Sequence, residues 1–176
     1  MTVSVPTGFL PSAFSGPAWD QARQLVLCRP HEDERMQAIS AELAVRNLLH
    51  RYVYALDCSD IEGVMASFTA DCVMNSPTGT VSGTAAIRTH YEQVLADMPT
   101  RFHLLTNTAV RISADLRSAE VSSYFFAVRQ KGGEPPHFLG GLFADQVVER
   151  DGEWKICTRS IAVDVGGGFA PAVGLL

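Results

Sequence analysis

No run of Lys or Arg breaks the surface of this 176-residue chain, whose 14 basic and 19 acidic residues leave a net charge of −5. Without a basic stripe, nucleic acid and anionic membrane are poor partners. No apolar stretch reaches the ~20 residues of a membrane helix. The stretch Met1 to Pro30 has neither a basic start nor an unbroken apolar run, so it does not read as a secretory signal. The four cysteines, Cys28, Cys58, Cys72 and Cys157, form no Cys-x-x-Cys pair and no Cys/His cluster with zinc spacing. They read as reduced, mostly buried thiols, and the expected location is cytoplasmic. Gly166-Gly167-Gly168 has no Lys-Ser/Thr after it and opens no helix, so it is not a phosphate loop. There are no internal repeats and no low-complexity segment.

What is present is a globular composition: 47% hydrophobic and 19% charged residues. A chain of this length buries roughly 70% of its unfolded surface and needs no disulfide or metal staple. Pro6, Gly8, Pro11, Gly16, Pro17 and Pro30 punctuate the first part. Residues 1–35 are therefore expected to be an irregular arm that packs through Phe9, Leu10, Phe14 and Trp19. From Met36 to Leu56 an apolar stripe recurs at helical spacing, without Pro or Gly. Asp57-Cys58-Ser59-Asp60 reads as a helix end and a new cap, with Asp60, or else Ser59, opening a short helix from Ile61 to Phe68. A turn over Thr69-Ala70-Asp71, a short strand Cys72–Ser76 and a return toward Val81 follow. A third helix, capped by Thr84, stops at Pro99.

Beyond Pro99 the period switches to two. Strands are expected over 102–113, 119–129, 138–150 and 154–165, with Asp151-Gly152 marking a hairpin. Helices first and an antiparallel meander after is α+β, a curved sheet wrapped around the long helix. The expected domain covers residues 36–165, and residues 166–176 are expected to be a flexible tail.

Several side chains carry two readings. His103, between Phe102 and Leu104, is either a bonded core histidine or a general base, with an ordinary pKa near 6.5. Asp57 is either a solvated helix-end carboxylate or a partner for that histidine. The helix dipole disfavours a carboxylate there, which points to another partner. Tyr52 is either a core aromatic or a donor in a site, and Tyr54 is its fallback. Arg159 is either an outward strand cation or a stabiliser of an oxyanion or leaving group. Asn107, four residues beyond His103 on one strand face, is either a strand-end side chain or a polar pocket wall.

The runs Arg51-Tyr52-Val53-Tyr54-Ala55-Leu56-Asp57, Phe68-Thr69-Ala70-Asp71, Arg101–Asn107, Gly140–Asp145 and Glu149–Ile156, with Arg159 beyond, carry a resemblance. In this element order they resemble the SnoaL-like branch of the nuclear-transport-factor-2-like superfamily, over roughly Glu42 to Val163. The resemblance implies a cone-shaped α+β barrel. The nearest enzyme groups are the hexachlorocyclohexane dehydrochlorinases and the bile acid 7α-dehydratases, with scytalone dehydratase more distant. It implies Asp57 and His103 as a base pair and Arg159 as the cation. Tyr52 matches the dehydratase pattern and departs from the dehydrochlorinases, which have Lys there. Tyr54, Asn107, Phe68 and Phe143 are the candidate substrate contacts.

The expected activity is that of a cofactor-independent, metal-free lyase acting on a small hydrophobic cyclic molecule. The alternatives are an isomerase or polyketide-type cyclase with the same base, or a non-catalytic small subunit of a ring-hydroxylating dioxygenase. A homo-oligomer, a trimer or else a dimer, is expected, with convex sheet faces packed together and the Phe169–Leu176 tail over a neighbour or its own mouth.

Overall fold

The computed structural model describes residues 16–27 and 36–168. Its centre is helix α2 (Met36–Asp57), which buries Val45, Leu48, Leu49, Tyr52, Val53 and Leu56. These recur at the three- and four-residue intervals that keep side chains on one helix face. The stripe begins later than expected: Ile39 and Leu43 are exposed. Helix α3 (Ile61–Ala66) starts, as the sequence indicates, at Asp60, whose carboxylate accepts from the Gly63 N–H at 3.0 Å.

Strand β1 (Phe68–Ser76) begins earlier than expected. The segment Thr69–Asp71, expected as a turn, lies inside it as a bulge, because the register against the last strand shifts between Phe68 and Val73. A short β2 (Gly79–Ser82) turns back on β1. Helix α4 (Gly83–Asp97) has its cap position at Ser82 rather than Thr84, whose hydroxyl instead donates to the Ala70 carbonyl. It buries Ile87 and Tyr91.

Four long strands complete the sheet: β3 (Thr100–Ile112), β4 (Ser118–Gln130), β5 (His137–Arg150) and β6 (Glu153–Gly168). The order across the sheet is β2-β1-β6-β5-β4-β3. Only the β1–β6 pairing is parallel. The sheet is not closed: β2 and β3 are its edges. Gly166–Gly168, expected to start a flexible tail, instead continue β6, pairing with His137–Leu139. Gly141 has no alternative in this sheet, because a Cβ there would lie 1.9 Å from the Ala162 carbonyl oxygen.

The arm is also more regular than expected. Residues Pro17–Leu27 form helix α1. Gly16, at φ +100°, turns into it, and Pro17 sits at the first helical position, where a missing N–H costs nothing. Proline punctuation therefore begins this helix instead of breaking it. Ala18, Trp19 and Ala22 pack on Leu142 and Ala144, on the sheet face away from α2. The Trp19 indole donates to Asp164 at 2.8 Å. Phe9, Leu10, Phe14, Cys28 and the Phe169–Leu176 tail lie outside the described residues. No helix among the described residues is long and apolar enough to cross a membrane.

Candidate active site

The last turn of α2 is locked before any side chain acts. Ser59 takes a left-handed φ of 59°, its N–H bonds the Leu56 carbonyl, and the Asp60 N–H bonds the Ala55 carbonyl at 2.8 Å. This is the Schellman arrangement of a helix end. Asp57 is thus the last helical residue, and its carboxylate reaches β3. One oxygen accepts the His103 backbone N–H at 2.9 Å, and the other lies 2.5 Å from His103 Nδ1. β3 is an edge strand, so alternate N–H groups have no strand partner and are free for such a carboxylate.

The His103 and Asp57 side chains keep 10% and 17% of their surface exposed. Burial depresses the His103 pKa, and the Arg129 and Arg101 charges add to that against the opposing pull of Asp57. The imidazole is therefore neutral near pH 7. With Nδ1–H directed to Asp57, Nε2 carries the lone pair.

Arg101 is a feature that sequence reading passed over. Its Nε donates to the Leu56 carbonyl at 2.6 Å, its Nη1 to the Met98 and Leu95 carbonyls, and its Nη2 to the Ser59 hydroxyl. Its only signal in the sequence is its place two residues before His103 in the run Arg101–Asn107.

A second cluster surrounds Arg159, which is 0% exposed. Its guanidinium makes a two-point pair with Asp145 at 2.8 and 2.7 Å. It lies 4.2 Å from the Tyr52 ring centre, 4.4 Å from that of Phe143 and 5.7 Å from that of Phe68. Burial pulls the guanidinium pKa down, but Asp145 and Tyr52 outweigh it, so Arg159 stays charged. The Tyr52 and Tyr91 hydroxyls are 2.9 Å apart, and Tyr91 also donates to the Met74 sulfur at 3.5 Å. Burial raises both phenol pKa values. One guanidinium nitrogen, Nη1, is buried with no hydrogen-bond partner among the described residues. Asp145 and Tyr91 carried no sequence signal of partnership, since neither motif nor spacing joins them to Arg159.

His103 and Arg159 share the sheet face that packs on α2. They do not touch. The cross-strand row of Leu105, Phe125 and Gly141 and the row of Phe143 and Ile161 lie between theirs. Phe125 and Phe143 stack there with ring centres 4.4 Å apart. The larger of two described hollows, about 790 Å³, lies on the other side of α2, between Asn47, Arg51, Tyr54, Cys58 and Trp154. Neither hollow is lined by His103 or Asp57.

Two of the candidate contacts therefore lie elsewhere. Tyr54 is 72% exposed and faces that outer groove, since two residues along a helix turn a side chain to the far face. Asn107 is exposed at a register shift of β3, with φ 49°, so two-residue counting from His103 fails at that bulge. Phe68 and Phe143 are buried around Arg159. Of the thiols, Cys58 is exposed rather than buried; Cys72 is buried, and burial pushes its pKa up to about 12. Among the described residues no group of three His, Cys, Asp or Glu could hold a metal ion.

Known structures of the same shape include a protein assigned as a scytalone dehydratase from Novosphingobium aromaticivorans DSM 12444. It is 23% identical, with a TM-score of 0.70 over 76% of this chain and 91% of that one. A protein assigned as an aromatic ring hydroxylase, from Novosphingobium aromaticivorans, is 26% identical, with a TM-score of 0.69 over 74% and 94%. Hexachlorocyclohexane dehydrochlorinase LinA-type3 from Novosphingobium barchaimii LL02 is 13% identical, with a TM-score of 0.70 over 77% and 94%. No curated protein matches the chain by sequence. The family model of the SnoaL-like domain matches residues 37–160, and the chain belongs to that family.

Proposed function

We propose that this protein is a cofactor-independent lyase, of dehydratase or dehydrohalogenase type, acting on a small hydrophobic cyclic molecule. The observation that carries the reading is the two-point grip of Asp57 on His103, which directs Nδ1 inward and leaves Nε2 as a neutral base. The same base serves an isomerase or cyclase, in which the proton returns to the product.

In the elimination, Nε2 takes a proton from a carbon beside an activating group. The C–H electron pair becomes the new double bond, and hydroxide or halide departs. Asp57 stabilises the imidazolium that results, as carboxylates do in other His pairs. Tyr52 and Arg159 receive the departing group. Both are buried, with Arg159 set against the Phe68 and Phe143 rings. The positive guanidinium, with one nitrogen that has no hydrogen-bond partner among the described residues, supplies the charge complement.

The non-catalytic alternative, a small subunit of a ring-hydroxylating dioxygenase, gives no role to the His103–Asp57 contact. A homo-oligomer in a reducing, cytoplasmic setting belongs to the same reading. It is supported by free Cys58, Cys72 and Cys157 and by the apolar residues left on the convex sheet face.

The test is a screen of hydroxylated and halogenated cyclic compounds, followed by His103→Ala on whichever turns over. Turnover should fall by at least about 10²-fold with the fold intact. Full activity in that variant, or loss of wild-type activity to EDTA, would refute the reading.

A further inference from the structure

We propose that Arg101 is the positioning residue of the Asp57–His103 pair, holding the end of α2 against β3 at the one spacing that lets both carboxylate oxygens reach His103. The proposal rests on the reading of that pair as the base, but its test does not need turnover.

Arg101 is buried. Its acceptors are not a carboxylate but the C-terminal carbonyls of two helices: Leu56 at the end of α2, and Leu95 and Met98 at the end of α4. A helix C-terminus carries about half a negative charge, so two of them offset about one cation. This explains how an arginine is buried here without an acidic partner in contact. It also answers the unfavourable position of Asp57 at a helix C-terminus, because the guanidinium occupies the carbonyl next to it. The fourth contact, to the Ser59 hydroxyl, grips the left-handed residue that ends α2.

The geometry runs through one short segment. Arg101 and His103 are two residues apart on β3, and Leu56 and Asp57 are adjacent on α2. Between them they make two cross-links from strand to helix end: Arg101 to the Leu56 carbonyl, and His103 to the Asp57 carboxylate. A guanidinium fork that spans Leu56, Met98 and Ser59 fixes the helix end in direction as well as distance. An ammonium does not have that planar fork. The charged groups that act on His103 are Asp57 from α2, Arg101 from its own strand and Arg129 from β4. Arg129 supplies charge to His103, whereas Arg101 supplies both charge and position, so comparing the two separates the effects.

The readout is the His103 Nδ1 proton in NMR spectra of the whole chain. In the wild type it should be a far-downfield, slowly exchanging signal, and the Arg101 Nε proton should be protected from exchange. In Arg101→Gln the Nδ1 signal should be lost, while Arg129→Gln should keep it and only shift its titration. Arg101→Lys should leave it weakened, and it serves if the Gln variant does not fold. With a substrate in hand, kcat should fall in the Lys variant with little change in KM. A folded Arg101→Gln or Arg101→Lys variant that keeps the wild-type Nδ1 signal overturns the proposal. So does a freely exchanging Arg101 Nε proton in the wild type, which decides the matter even if neither variant folds. Loss of turnover in His103→Ala with an unaltered Nδ1 signal in the Arg101 variants would leave the base reading standing and remove this one.

Discussion

His103 is held neutral by its burial and by two nearby arginines, and Asp57 only partly offsets them. That has a consequence for stability. A histidine whose pKa is depressed in the fold takes its proton more readily in the unfolded chain. Its contribution is therefore present above about pH 6.5 and is lost as pH falls through the folded value. His90, also depressed by burial, acts in the same sense. The melting temperature should drop on acidification below about pH 6.5, and the drop should be shallower in His103→Gln; an equal slope in both proteins would count against it. Asp57→Asn should be nearly as damaging to turnover as His103→Ala, because an amide holds the ring but does not stabilise the imidazolium.

Arg159 bears on stability before chemistry. It is fully buried and paired with Asp145, so Arg159→Ala leaves an uncompensated carboxylate in the core. Breaking such a pair costs about 3–5 kcal/mol. Urea unfolding should show a loss of that order, and a loss below about 1 kcal/mol would mean the pair is not buried in solution. Any fall in activity in that variant reports the fold before it reports the chemistry.

At the scale of elements, β3 and the end of α2 are one unit. The Schellman turn at Ser59 ends the helix where Asp57 can meet the free edge of β3. Helix α1 is a second such unit, docked on the opposite sheet face through Trp19. Its indole packs edge-on to Tyr124 at 5.4 Å and donates to Asp164. Asp164 is the extra residue of the β6 bulge between Val163 and Val165, which pair with adjacent glycines on β5. The bulge re-aims that carboxylate toward α1. Trp19→Ala should cost about 3 kcal/mol, read from chemical denaturation. A change within about 0.5 kcal/mol would mean that α1 does not hold its place in solution.

On the scale of the whole molecule, α1 covers part of the convex face that was expected to meet its copies. Phe102, Leu104, Tyr124, Phe126 and Val165 remain exposed there, with Phe102 at 56%. Phe126 stacks on Phe138 at 5.8 Å. Contiguous apolar surface of this kind marks an interaction site. The expected state is a homo-oligomer, a trimer first and a dimer second, joined beside α1. Light scattering at micromolar concentration should give a multiple of the 19.1 kDa chain. A clean monomer would show that this face serves something else.

The chain's own order of residues was enough for the α+β class, the long helix, the Asp60 cap and the Asp151-Gly152 hairpin. Each depends on local chemistry or on a periodicity that a linear pattern records: helical spacing, cap geometry, two-residue alternation. For Asp57 the local clue was a carboxylate set against a helix dipole; its pairing with His103 was implied by the family resemblance. Only the tertiary structure decided that Arg159 pairs with Asp145, that Tyr52 meets Tyr91, that Arg101 joins two helix ends, and that Asn107 is exposed. The Arg159–Asp145 pair comes from sheet register and the exposure of Asn107 from the bulge in β3, where one extra residue reverses every face beyond it, whereas the Tyr52–Tyr91 and Arg101 contacts come from the docking of helices. A sequence records which residues alternate along a strand, but the register that sets one strand beside the next is chosen by the packing of the whole sheet.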